Sequence, residues 1–277
     1  MPELPEVETL RHDLEQEVVG RKIKAVEVRA ARVVRRHPSR KAFVERLVGR
    51  KLAGAGRSGA LLLLALDSGD ALVADLASGG RLLKERTAAP VEQRTDAVVT
   101  LATGGDLRFI DLGADGELYV ADPTGLAELA GRQHGAIDPL TDAFTWQAFN
   151  ARLLSRRVRL RPLLIDQSFV AGIGPMYADE ILWSGGLRWD RGSDTLSAQE
   201  VRRLYRSIQE VIQEAVRLRG TSIGERLHVD LHGNKGEFQT QLNAYQREGQ
   251  PCRRCRTPLV CEQADGGATY FCPRCQS

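Results

Sequence analysis

Cys252, Cys255, Cys272 and Cys275 form the pattern C-x2-C-x16-C-x2-C, and no other feature of the chain limits its possible folds as sharply. Two close pairs separated by a hairpin-length insert can bring four thiolates to the corners of a tetrahedron, the arrangement of a closed structural zinc site. With all four positions filled by protein there is no place for a reactive water. The expected cofactor, one zinc ion, therefore folds this segment and performs no chemistry. Cys261 is left over as a free thiol. No cysteine precedes Cys252, and the N-terminal stretch lacks the basic-then-apolar pattern of a secretion signal, so a disulfide framework is not expected.

The 277 residues, 42% hydrophobic and 27% charged, can bury a substantial core in two domains with a small appendage. The longest apolar run, Ala60 to Leu66, is far short of the roughly 18 residues a membrane span needs. A cytoplasmic location follows as the expectation. The net charge is only +3, but Arg152, Arg156, Arg157, Arg159 and Arg161 crowd a single short stretch. Such a run is either a solvated helix face or a patch that binds a polyanion.

Residues 5 to 19 read as a helix: Pro5 suits its first turn, Val7, Leu10, Leu14 and Val18 recur at helical spacing, and Gly20 supplies the stop. From about residue 22 to 121 the pattern changes to short β-like runs, KIKAVEV, LLLLAL, ALVADL, AVVTL, LRFIDL and ELYV, with the turn signals DSGD and TGGD between neighbours. Strands joined by hairpins predict a sandwich or a barrel. Beyond a boundary around residues 131 to 143, marked by Gly135, Pro139 and Asp142, helical patterns return at 145 to 155, in IDQSFVAGIGPMYADEILWSGG and in SAQEVRRLYRSIQEVIQEAVRLRG. The fold class is α+β, with expected divisions at 1–131, 132–236 and 237–277.

Two further motifs can carry chemistry. In VAGIGPMYADE, Gly172 and Gly174 form a tight turn ahead of a helix, where backbone N–H groups and a positive helix end can hold a phosphate; an ordinary helix corner has the same signature. At the N-terminus, Pro2 and Glu3 precede the first helix. They can be simple helix-start residues. Once Met1 is removed, however, Pro2 is a secondary amine able to attack a sugar C1′, form an iminium and permit β-elimination, with Glu3 giving and taking the protons. A retained Met1 would make that nitrogen an unreactive amide.

PELPEVE at the start, DQSFVAGIGPMYADEIL in the middle and the four-cysteine hairpin ending YFCPRCQ together resemble the formamidopyrimidine-DNA glycosylase and endonuclease VIII family, in order and nearly end to end. The run FQTQLNAYQREGQPC is similar to the formamidopyrimidine branch. The resemblance implies an N-terminal β-sandwich domain with flanking helices and a C-terminal helix–two-turn–helix domain with a zinc finger, DNA lying between them. It implies a bifunctional DNA glycosylase and abasic-site lyase of base excision repair, with Pro2, Glu3 and Glu6 as catalytic residues and Cys252, Cys255, Cys272 and Cys275 as zinc ligands.

Other positions depart from the family pattern. The family lysine falls at Ala60, with Arg57 the nearest basic residue; an HLGMTG-like turn reads Asp75-Leu-Ala-Ser-Gly-Gly80, putting Ser78 in place of a wedging methionine. The arginine–phenylalanine wedge falls at Leu112 to Gly116, the phosphate-binding asparagine at Pro175 and the finger arginine at Gly267. DNA contacts are accordingly expected from Arg57, Arg157, Gly172, Gly174 and Lys235, and the partner is damaged DNA, including single-stranded or distorted DNA, bound by a nucleoid-associated monomer. The alternative is a catalytically silent or specialised paralogue that binds DNA without excising common oxidised purines. The matching Pro-Glu terminus favours the enzyme, because helix capping alone does not require that pair.

Overall fold

The computed structural model describes residues 2–132, 136–224, 228–264 and 267–277; Met1 and Gly135 lie outside them. The chain forms two compact units, Met1–Arg132 with Leu218–Glu237, and Gln133–Arg217 with Phe238–Ser277.

The first unit opens with α1 (Leu4–Glu17), whose Leu4, Val7, Leu10 and Leu14 are buried and whose end is released by Gly20 at φ +86°. It continues through β1 (Ile23–Val28), α2 (Arg40–Leu47), β2 (Leu52–Ser58), β3 (Leu61–Leu66), β4 (Ala71–Asp75), β5 (Gly80–Glu85), β6 (Thr95–Leu101), β7 (Asp106–Asp111), β8 (Glu117–Ala121) and α3 (Pro123–Arg132). The strands make two antiparallel four-stranded sheets, β1-β6-β7-β5 and β2-β3-β4-β8. Inward residues of both sheets, including Leu62, Leu64, Leu72, Val99, Leu107, Phe109 and Leu118, join α1 and α2 in one core, the packing of a sandwich. Leu231, from the returning segment, is part of that core.

The expected strands all form. The sequence pattern misses β2 and β5, because LAGAGRS and GRLLKE carry glycine and few β-branched residues and show no alternation. Both are held in the sheets by pairing with neighbours that do carry the signal. The helices α2, capped by Ser39 accepting from the Ala42 N–H, and α3 were also not anticipated.

The second unit comprises α4 (Trp146–Leu154), α5 (Leu160–Ile165), α6 (Pro175–Gly185), α7 (Ala198–Arg217) and a hairpin of β9 (Val260–Ala264) and β10 (Gly267–Phe271). Val201, Leu204, Ile208, Ile212 and Ala215 form the buried stripe of α7. Tyr205 on the same helix stacks on Phe144 and packs against Phe149 and Trp146. The arginine-rich stretch is not one helical face: α4 stops at Leu154 and α5 begins at Leu160. Arg161 leaves the patch altogether, since it is fully buried and paired with Asp179 at 3.0 Å.

Candidate active site and metal centre

Glu3 is the residue at which the chain enters α1, and its carboxylate accepts from the Glu6 backbone N–H. In return the Glu3 N–H donates to Glu6 Oε2 at 2.9 Å, a reciprocal capping arrangement at the positive end of the helix. The other oxygen of Glu6 accepts from the Thr221 N–H at 2.7 Å. Glu6 is thus a buried clamp between the N-terminus and the returning segment. Gly220, at φ +79°, is required beside it: a Cβ there would stand 2.8 Å from Glu6 Oε1.

The orientation of α1 follows from two contacts with β2. Glu8 pairs with Arg57, and Glu15, two turns later, accepts from the Ala55 N–H. The N-terminus of α1 therefore points toward the β2–β3 turn at Gly59 and Ala60. Strand register places Ser58 opposite Leu61, Leu61 opposite Asp75, and Asp75 opposite Glu117. The loops after β4 and before β8 consequently share this end of the sandwich with Pro2 and Glu3.

Those two loops are bonded to each other. Ser78 Oγ donates to Asp115 Oδ2 at 2.6 Å, and the Leu112 N–H donates to Gly79 O at 3.1 Å. Asp111, buried at the foot of the second loop, accepts from the N–H groups of Gly113 and Gly116 and pairs with Arg32. Ala77 and Ala114 hold left-handed backbones at φ 43° and 60°, conformations that cost an alanine more than a glycine.

In the returning segment, His228 accepts the Ser222 hydroxyl on its backbone oxygen, while its Nε2 is sealed from solvent with no partner among the described residues. Burial pushes its pKa down from 6.5 to about 4, with Arg219 and Arg81 adding to the effect against Asp230. Because the folded value lies below the unfolded one, the neutral ring stabilises fully above pH 6.5 and its contribution is lost as pH falls toward 4. The melting temperature of wild type should drop through that window by an amount equivalent to about 3 kcal/mol, and His228→Asn should flatten this dependence. An unchanged slope in the variant would assign the acid sensitivity elsewhere.

In the second unit the glycine turn is partly occupied from within. Gly172, at φ +77°, donates its N–H to Gln167 Oε1 at 2.7 Å, and Gly174 precedes Pro175, which has no N–H, at the start of α6. Arg157 and Lys235 are exposed, each within its own unit, whereas Arg57 is almost fully buried against Glu8. The predicted DNA-binding residues are therefore not equivalent: two present cations to solvent, and Arg57 holds α1.

The four expected cysteines do converge. Their Sγ atoms lie within 4.8 Å of one another, with Cys252 and Cys275 at 3.9 Å and Cys255 and Cys272 at 3.5 Å. Zinc–sulfur bonds of about 2.3 Å in a tetrahedron imply sulfur separations of about 3.8 Å, so the set fits one zinc ion. The Cys275 N–H points to Cys272 Sγ at 3.3 Å, a supporting contact for a thiolate ligand. Cys261 stands apart on β9 opposite Tyr270.

Sequence reasoning missed how the finger is attached. Glu180 on α6 accepts from the N–H groups of Asn243, Ala244 and Tyr245, and Asp179 accepts from Thr269 Oγ1 and the Tyr270 N–H besides Arg161. Burial raises the Asp179 carboxyl to about 6, against the opposing pull of Arg161. The adjacent carboxylates in YADEIL were a usable signal, since an otherwise apolar helix rarely buries two acids without partners.

Family models match the chain in three successive stretches: the formamidopyrimidine-DNA glycosylase N-terminal domain over residues 1–117, the formamidopyrimidine-DNA glycosylase H2TH domain over 136–226, and the zinc finger found in FPG and IleRS over 249–277. The chain belongs to the formamidopyrimidine-DNA glycosylase family. The formamidopyrimidine-DNA glycosylase of Salinispora arenicola is 43% identical over 279 residues, covering 100% of this chain and 96% of that protein. That of Heliobacterium modesticaldum is 41% identical over 279 residues and 100% of both. Among solved structures, the Lactococcus lactis Fpg in complex with abasic-site DNA superimposes with a TM-score of 0.89 at 28% identity, covering 99% of each chain. The Thermus thermophilus MutM (Fpg) protein gives 0.86 at 34% identity, covering 99% of this chain and 98% of that one. The family's zinc-finger stretch contains all four clustered cysteines.

Proposed function

We propose that this protein is a bifunctional DNA glycosylase and abasic-site lyase of base excision repair that works through an N-terminal proline Schiff base. The observation that carries the reading is the Pro2-Glu3 pair at the head of α1, fixed by buried Glu6, in a chain matched by the family over its length. The silent-paralogue alternative is not favoured: a surface that only bound DNA would have no use for that pair.

The chemistry divides as follows. The Pro2 nitrogen lone pair bonds to C1′ of the damaged nucleotide as the glycosidic bond breaks, and the base leaves with the glycosidic electron pair and a proton from Glu3. The ammonium formed at Pro2 returns its proton to Glu3, the nitrogen lone pair then expels the ring oxygen, and Glu3 protonates that oxygen as the sugar opens to the iminium. The iminium acidifies C2′. Removal of that proton expels the 3′ phosphate, and water then restores the amine. Glu6 touches neither sugar nor base in this scheme; it holds the Glu3 backbone in place.

Residues 1–131 are assigned the catalysis, 132–236 the helical DNA grip, of which 218–236 returns to pack within the first unit, and 237–277 the finger. Arg157 and Lys235 supply exposed positive charge, Gly174 opens α6 toward a phosphate, Gly172 sets the turn and Arg57 steadies α1. DNA is the partner, and the protein acts as a monomer in the cytoplasm on the nucleoid. No helix among the described residues is long and apolar enough to cross a membrane. The test is incubation of mature protein, beginning at Pro2, with an oligonucleotide carrying one oxidised purine. Base release with strand scission is expected, and Pro2→Gly should lose both by about 100-fold or more. Intact DNA under every condition would remove the reading.

A further inference from the structure

We propose that the preferred substrate of the N-terminal site is unpaired DNA, a single strand or a bubble in which the target nucleotide is already unstacked. The inference rests on the glycosylase reading above and narrows its substrate class.

Taking a paired base out of a duplex leaves a gap in the stack, and proteins that open DNA this way commonly insert an apolar or aromatic side chain or an arginine to offset the unstacking. Among the described residues, the loops that the strand register brings to the Pro2 end for that purpose are 76–79 and 112–116. Apart from Leu76 and Leu112, the residues of these loops up to Asp115 are Ala77, Ser78, Gly79, Gly113 and Ala114 with Asp115 itself, none of which can span a base step, and Gly79 is buried. Leu112 is the exception in size, but it is half-buried at the foot of its loop with its N–H bonded to Gly79.

The loops are closed against each other as well as short. Beyond the Ser78–Asp115 bond, a Cβ on Gly113 would come within 2.4 Å of Asp115 Oδ1 and 2.8 Å of Ser78 Oγ, and one on Gly79 within 2.5 Å of the Gly113 nitrogen. No side chain fits at either position unless the seam opens.

The test uses one oxidised-purine oligonucleotide as a single strand, in a bubble and in a fully paired duplex, under single-turnover conditions. Single strand and bubble should be processed about tenfold or more faster than the paired duplex, reflecting the unstacking that the protein does not offset. A Ser78→Met, Asp115→Phe protein, which opens the seam and supplies bulk, should raise the duplex rate relative to the single-strand rate. Leu112→Ala should leave the wild-type ratio unchanged. A wild-type protein that cuts paired duplex as fast as single strand overturns the proposal while leaving the glycosylase reading intact. A protein inactive on all three substrates overturns both. Should the double variant fail to fold, the wild-type ratio still decides.

Discussion

Glu3→Gln should lower base excision by about 100-fold to 10,000-fold, the usual contribution of a positioned proton-transfer group. The substitution keeps the shape of the side chain and an oxygen that can accept from the Glu6 N–H, so the cap observed at the head of α1 can survive. Stability should therefore change by less than about 1 kcal/mol. What is removed is the titratable proton. The effect should also depend on substrate: on a preformed abasic site no base has to depart, the Pro2 amine is still present, and the loss should be smaller. Excision kinetics on an oxidised purine and on an abasic site, with melting curves for both proteins, check this. Equal losses on both substrates, or none on either, would contradict the assignment of Glu3 as proton donor.

Removing the metal should have the second large effect. Structural zinc in isolated fingers contributes about 10 to 16 kcal/mol at neutral pH, and the finger here has only a small core, in which Ala244, Cys252, Leu259 and Cys272 pack with Trp183 of α6. Two of those five belong to the four-cysteine cluster that fits the metal. Without zinc, the Gln276 side chain, which accepts from the Cys272 N–H and donates to Leu187 O, loses its frame. So do the bonds from Asp179 to β10. Chelation, or Cys255→Ala, should release about one zinc per chain, unfold the hairpin and weaken DNA binding by about 100-fold. Metal analysis, hydrogen exchange across residues 249–277 and DNA titration measure the three losses. A fully folded, fully binding protein free of metal would exclude a structural zinc.

Much of this architecture was legible in local sequence, for identifiable reasons. The four cysteines, the helical run SAQEVRRLYRSIQEVIQEAVRLRG that becomes α7, and the start and stop signals Pro5 and Gly20 around α1 are carried by neighbours a few residues apart. The unreadable parts depend on distant ones. Glu6 and Thr221 are separated by 215 positions, and nothing in PELPEVE announces that its second carboxylate will accept from a loop so far along the chain. Arg161 read as one of a basic cluster, because its burial is decided by Asp179 on α6 and by the carbonyl of Ala268 on β10. The strands β2 and β5 are strands by virtue of their partners. In the two loops at the Pro2 end, sequence disclosed which large side chains were absent. It did not disclose that Ser78 and Asp115 would be joined.

Borohydride reduction of mature protein mixed with abasic-site DNA tests the N-terminal chemistry most directly, since only an iminium between protein and sugar becomes a stable covalent adduct. A cross-linked species should form with protein beginning at Pro2, map to that residue, and disappear when Met1 is retained and the nitrogen is an amide. Absence of an adduct on both single-stranded and duplex DNA, with the zinc finger folded and Pro2 at the terminus, would contradict the proline Schiff base and with it the enzymatic reading.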